Sequence, residues 1–356
     1  MCIQMQMLFD FMGEHPKKKY FNQYFIDKRR QLLALWLLVC YCVLVLNAKA
    51  SLAAEPNYPS KPVHLVVPFA AAGGVDTAAR IIGQRLSELW SQSVLIDNRA
   101  GANSVIGTDF VAKSTPDGHT LLVVFGPPFN TVQLFSKNVP YQALTDFTPV
   151  SIVATVPMVV VVPPNLGVNT ASDLIEYAKQ HSGQVSFGTS GAGSSQQLGG
   201  ILLGIAGGVE LTHIPYKGGS AALNDVLGGH IPVGILALSN VIPYVKTGKL
   251  KAIGVIESHR STSEPQIPTL AEAGVPGFAV PDTWVGFLAP AGLPKAVLDK
   301  LSQDIAKAVE TTEVKQKLEG AGFEVAIKGP EVFKDLLGKS IALYKKTTAD
   351  AGIKPE

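Results

Sequence analysis

Short apolar runs alternate with amphipathic stretches along most of the chain, and the order of the two is informative. Residues 65–69 are apolar enough for a buried parallel strand. The small residues 70–74 follow, and Asp76 is expected to cap a helix carrying Ala79, Ile82, Leu86 and Leu89 on one face. A second strand is expected at 94–96, a short helix through Val111 after the polar turn 98–104, and a third strand at 120–125 behind the turn Pro116-Asp117-Gly118. Strand and helix alternating at this spacing imply right-handed crossovers and a parallel sheet, with ligands at the carboxyl ends of the strands. From Pro149 the pattern changes: β-branched strands at 150–156 and 158–162 flank Pro157, as expected where a chain crosses from one lobe to another.

Beyond that crossing the alternation starts again. A helix runs from Ser172 to His181, and a strand at 185–187 leads through the loop 188–198 into a helix holding Leu202 and Ile205. Strands follow at 211–215, 231–236 and 251–256, with helices at 221–227 and near 243–246. Residues 281–290 read as the return crossing, and amphipathic helices at 294–309, 312–319 and 330–349 should pack back onto the first lobe.

The N-terminus does not fit this scheme. Lys17, Lys18, Lys19, Lys28, Arg29 and Arg30 precede an apolar run at 32–46, and Ala48-Lys49-Ala50 has the small-x-small pattern of a signal-peptidase site. Residues 1–50 are therefore expected to be a secretory signal with an N-terminal extension, cleaved near Ala50 or Ala54, with the mature protein exported. Removing them leaves 23 basic against 25 acidic residues, so the formal net charge moves from +2 to about −2. Nothing in that balance argues for nucleic acid or an anionic membrane. Cys2, Cys40 and Cys42 all lie within the leader, so stability must come from a core, which some 300 residues can supply.

Two stretches carry the candidate chemistry. Ala70, Ala71 and Gly73 have no side chain to keep a ligand from the backbone, and free N–H groups at a helix start carry partial positive charge suited to a carboxylate or phosphate. The loop 188–198 repeats this logic with Ser190, Gly193, Ser194 and Ser195, where Ser194 or Ser195 can also serve as an ordinary helix cap. Two such sites, one per lobe, would hold one anionic ligand between them. Gly218 offers further N–H donors, while Phe69, Phe125, Phe129 and Trp284 either wall the pocket or belong to the core. Residues 188–192 fail the nucleophile elbow because Ala192 replaces its last glycine, and no phosphate-loop or dinucleotide motif occurs. The histidines after the leader never fall at i, i+4 or near a cysteine, so neither metal nor cofactor is expected. A hydrolase using Ser190 or Ser194 with His213 is the enzymatic alternative.

The set Tyr58-Pro59-x-Lys61-Pro62, Val67-Pro68-Phe69 with Gly73 and Asp76, Asn98-Arg99-x-Gly101-Ala102, Pro215-Tyr216-Lys217-Gly218-Gly219 and Ala289-Pro290-Ala291-Gly292-x-Pro294 resembles the substrate-binding receptors of tripartite tricarboxylate transporters, the Bug family. The resemblance runs from Tyr58 to the end of the chain. It implies a two-lobed α/β fold of the type II periplasmic-binding-protein class, each lobe a mostly parallel sheet flanked by helices with the cleft between. It further implies a carboxylate-bearing solute held by the loop 69–76 from one side and the loop 190–196 from the other; Phe125, Phe129 and Trp284 favour a partly apolar or aromatic carboxylate, with dicarboxylates and amino acids as alternatives. The lobes would comprise residues 51–157 with 282–356, and 158–281. Membrane permease subunits would be the partners, monomer the default state, and a receptor serving a signalling sensor the alternative to transport. The chain departs from the family pattern at Ala72, usually glycine, at Gln197, commonly histidine, and at Ala237-Leu238, where an aspartate is common.

Overall fold

The computed structural model describes residues 58–352; the leader, its cleavage positions and the last four residues lie outside them. The first part of the chain forms β1 (Val63–Val67), α1 (Gly74–Trp90), β2 (Val94–Asn98), α2 (Val105–Ala112), β3 (Thr120–Phe125), α3 (Gly126–Phe135) and β4 (Phe147–Thr155). The middle forms β5 (Met158–Val162), α4 (Ala171–Gln180), β6 (Ser186–Thr189), α5 (Ser195–Gly207), β7 (Thr212–Pro215), α6 (Gly219–Leu227), β8 (Val233–Ala237), α7 (Leu238–Lys246) and β9 (Lys251–Val255). The last part forms β10 (Trp284–Pro290), α8 (Lys295–Glu310), α9 (Thr312–Gly320), β11 (Glu324–Lys328) and α10 (Pro330–Asp350).

Two sheets result, ordered β11-β4-β10-β3-β1-β2 and β7-β6-β8-β5-β9. The strand–helix–strand units pair in parallel, β1 with β2 and β3, and β6 with β7 and β8. Pairings made by the crossing strands are antiparallel, β10 with β3 and β4, β11 with β4, and β5 with β8 and β9. The sheets are thus mixed rather than mostly parallel, because a strand arriving from the other sheet enters against the local direction.

Burial follows the apolar pattern closely. All five residues of β5, Met-Val-Val-Val-Val, are buried, as a strand covered on both faces requires. Helix α1 buries Ala79, Ile82 and Leu86, but Trp90 rather than Leu89 completes its inner face, and Leu89 is left exposed. The indole N–H of Trp90 donates to Asp304 Oδ2 of α8 at 2.8 Å, so the C-terminal helices do pack back onto the first sheet's layer. Two elements go beyond the sequence reading. Helix α3 begins Gly-Pro-Pro, which looks like a turn, yet proline is tolerated in a first helical turn that lacks N–H partners anyway. Strand β11 is a five-residue edge strand with charged ends. No helix among the described residues is long and apolar enough to cross a membrane.

Candidate functional site

The first loop leaves β1 at Val67. Pro68 is pressed against α2, where a Cβ on Gly107 would come within 2.9 Å of Pro68 Cα. Ala70, Ala71, Ala72 and Gly73 are then exposed, with Ala72 in the left-handed region at φ 63°. Asp76 is not the helix cap expected of it. Gly73 is the N-cap and makes no side-chain cap bond, while Asp76 sits inside the first turn, buried, and reaches back under the loop. Its carboxylate accepts from the Ala72 N–H at 2.8 Å, from Arg80 Nε at 2.9 Å and from Asn98 Nδ2 at 2.9 Å. Asn98 Nδ2 also reaches the Phe69 carbonyl at 3.3 Å. Desolvation pushes the Asp76 carboxyl up, but hydrogen bonds from Arg80, Asn98 and Ala72 together outweigh it and hold the group below the usual carboxylate range. Both ends of the loop are therefore fixed from behind. Among the described residues no protein group accepts from the N–H of Ala70, Ala71 or Gly73, which leaves these donors unpartnered in an exposed loop.

The second loop is held the same way, by side chains of the helix it enters. Ser194 caps α5: its Oγ accepts from the Gln197 N–H at 3.2 Å and donates to the Gly191 carbonyl at 2.8 Å. Gln196 Oε1 accepts from both the N–H and the hydroxyl of Ser190, and Gln197 Oε1 accepts from the Gly193 N–H at 2.8 Å. The Gly218 N–H donates to the Ser190 carbonyl at 3.1 Å. Three expected ligand donors, Ser190, Gly193 and Gly218, are thus spent inside the loop. What Gly193 supplies instead is its φ of +76°, a conformation that side chains disfavour. Among the described residues, the N–H groups of Ala192, Ser194 and Ser195 remain without protein acceptors.

Contacts from the first sheet's layer complete the arrangement. Thr131 Oγ1 on α3 lies 2.7 Å from two carbonyls, that of Pro127 one turn back and that of Gly193, and the Ser195 and Thr283 hydroxyls meet at 2.6 Å. The aromatic expectations divide. Phe69 and Phe125 are half-buried neighbours with ring centres 6.3 Å apart, and Phe125 lies against Gly74 at the start of α1. Phe129 is fully buried between Tyr141 and Phe147, and belongs to the core. Trp284 is likewise core: it is 3% exposed, its ring lies edge-on to Phe333 at 4.7 Å, and it covers Gly126 so closely that a Cβ there would sit 2.3 Å from the indole. Among the described residues His213 pairs with neither Ser190 nor Ser194. His213 Nε2 meets Thr189 Oγ1 at 2.7 Å rather than a serine, and burial pushes its pKa down to about 4. Among the described residues no group of three or more His, Cys, Asp or Glu is placed to hold a metal. The sequence assigns no role to Thr131 or Thr283, and it places Gln196 and Gln197 at the loop without the bonds their side chains make. For the two glutamines the signal was their place in the first turn of a helix, from which a side chain reaches the preceding loop.

Residues 78–342 match the family description "tripartite tricarboxylate transporter family receptor". The chain belongs to that family. A curated relative, the UPF0065 protein encoded in the tcbD-tcbE intergenic region of Pseudomonas sp. strain P51, is 38% identical over 290 residues, covering 81% of this chain and 86% of that protein. The solved structure of R. palustris Rpa4515 with adipate is 34% identical at a TM-score of 0.73, covering 84% of this chain and all of the other. The periplasmic binding protein BugD is 32% identical at a TM-score of 0.70, with 84% and 100% covered. The fold is accordingly the two-lobed periplasmic-binding-protein fold, and the receptor's relatives are solute-binding proteins, not enzymes.

Proposed function

We propose that this receptor works in the periplasm, captures a small dicarboxylate between its two lobes and delivers it to the membrane subunits of a tripartite transporter. The observation that carries the reading is the unpartnered set of N–H groups at Ala70, Ala71 and Gly73, at a helix start whose own acidic residue is occupied behind the loop. Such donors recognise a carboxylate without a formal positive charge. A second set at Ala192, Ser194 and Ser195 suits a second carboxylate, and Rpa4515 from R. palustris, a relative of known structure, was solved with the dicarboxylate adipate. An aromatic solute is less well supported once Phe129 and Trp284 belong to the core. The crossings at Pro157 and near Asp282 would act as the hinge between residues 51–157 with 282–356 and residues 158–281, in a monomer.

Thermal unfolding of the purified protein against dicarboxylates, aromatic carboxylates and amino acids tests this. A ligand at about 100 times its Kd adds about 2.7 kcal/mol of stability. The expected outcome is a rise in Tm with a C4 to C6 dicarboxylate, recovered chemically unchanged. A response confined to uncharged solutes, or consumption of the ligand, would overturn the proposal.

A further inference from the structure

The residues that lead into β11 touch three separate parts of the molecule. Gly322, in the left-handed region at φ 84°, lies against Ser239 in the first turn of α7, where a Cβ on the glycine would overlap the serine side chain. Phe323, only 3% exposed, points the other way: a Cβ on Gly74, at the start of α1, would lie 3.6 Å from its ring. Glu324 turns back again, and its Oε1 accepts from the Ser261 hydroxyl and, at 3.2 Å each, from the N–H and hydroxyl of Ser263. This alternation is that of extended chain, and it sends residues 322 and 324 to one side and residue 323 to the other.

The two sides belong to different sheets. Strand β11 is the edge of the six-stranded sheet, whereas α7 follows β8, and Ser261 and Ser263 follow β9, in the five-stranded one. Ser261 is itself buried, and its hydroxyl accepts from the Ser263 N–H at 3.2 Å and the Glu264 N–H at 3.4 Å while it donates to Glu324. The carboxylate therefore ends a chain of bonds that shapes the 261–264 turn, and as a charged acceptor it makes each of its bonds roughly twice as strong as a neutral one would. Alongside runs a groove of about 880 Å³, with Leu238, Asn240 and Ile242 on one flank and Lys315, Glu319 and Ala321 on the other. There the two layers stand apart, so residues 322–324 form a narrow tie between them, next to the loop 70–74.

We propose that Glu324 is a positioning residue for solute length: by tying β11 to the 261–264 turn, with Phe323 on Gly74, it fixes the distance between the N–H donors of the first loop and those of the second, and so decides how long a dicarboxylate can span them. This rests on each loop holding one carboxylate. A contact that only stabilised the fold would support every solute alike. One that sets a distance acts by difference: once it is gone the two layers settle at a range of separations, so the best-fitting length loses most and poorly fitting lengths lose little. Glu324→Gln removes the charge but keeps the oxygen that accepts, and so separates the tie from any direct effect of the charge on an anionic solute.

Calorimetric titration with succinate, glutarate, adipate and suberate reads the length profile of the native protein and its variants. The native protein is expected to prefer one length. Glu324→Ala should bind that length about fivefold or more weaker, with smaller losses for the others. Ser261→Ala, which breaks the tie from its other side, should flatten the profile in the same way, and Glu324→Gln should keep it. Hydrogen exchange without any solute reads the tie itself. The Ser263 amide and the Thr77 amide, which donates to the Gly73 carbonyl at 2.9 Å in the first turn of α1, should lose protection together in Glu324→Ala while the amides of β5 keep theirs. Equal weakening at every length, a native profile without preference, or protection kept at Thr77 would overturn the proposal. Coupled loss at both amides with none of the four probes bound would uphold the tie while removing dicarboxylates as the solute.

Discussion

At the scale of single residues, Asp76 shows how a buried carboxylate holds a loop from behind. It answers the Ala72 N–H, Arg80 and Asn98 at once, and so decides which loop N–H groups are left unpartnered. Asp76→Ala should destabilise the fold by about 1–3 kcal/mol, since it strands buried donors while Arg80 remains half in water. Urea unfolding measures the first effect and calorimetric titration the loss of binding; unchanged affinity would separate loop shape from recognition. Because the carboxyl is held below its ordinary value, its contribution is present above that value and disappears as the pH falls through the lowered one. Gly126 is the second case. Gly126→Ala drives a Cβ into the Trp284 indole and should cost about 1–3 kcal/mol, read as a lower urea midpoint at unchanged slope. These two roles were only half legible in the sequence. Asp76 was recognisable as important beside a helix start, but whether an aromatic such as Phe129 or Trp284 lines a pocket or fills a core depends on partners far away in the chain, here Tyr141 and Phe333.

Among the elements, the strand–loop–helix units were readable because each obeys local rules: an apolar strand, small residues in the turn, a capped and amphipathic helix. Both small-residue loops stand out on that basis. Their internal hydrogen bonds do not, since the donors of Ser190, Gly193 and Gly218 look free until the glutamines of α5 and the backbone of the 188–198 loop are seen to accept from them. Helix α3 escaped notice behind its opening prolines, yet it carries Thr131, whose hydroxyl reaches the Gly193 carbonyl. Thr131→Val keeps the shape and deletes that bond. The ligand-free protein should lose about 1 kcal/mol, read as a lower urea midpoint, and calorimetry should show a weaker Kd as the Gly193 segment loosens. A large fall in the ligand-free Tm would mean that α3 depends on the bond for its own packing.

On the scale of the whole molecule, two crossings and two α/β halves were foreseeable from the change of pattern at Pro149 and its return near Pro281. The antiparallel strands were not, because sheet order depends on long-range pairing that periodicity does not record. That order has a consequence for how the chain is made. The five-stranded sheet is built from one continuous stretch, β5 to β9, and every pairing it needs is available once Val255 has been synthesised. In the six-stranded sheet β3 and β4 never touch each other; β10 lies between them and is translated more than a hundred residues after β4 begins. Until then the first sheet consists of one three-stranded piece, β3-β1-β2, and a lone β4 whose two neighbours, β10 and β11, both come later, so the segment made first is the one that waits longest to complete its sheet.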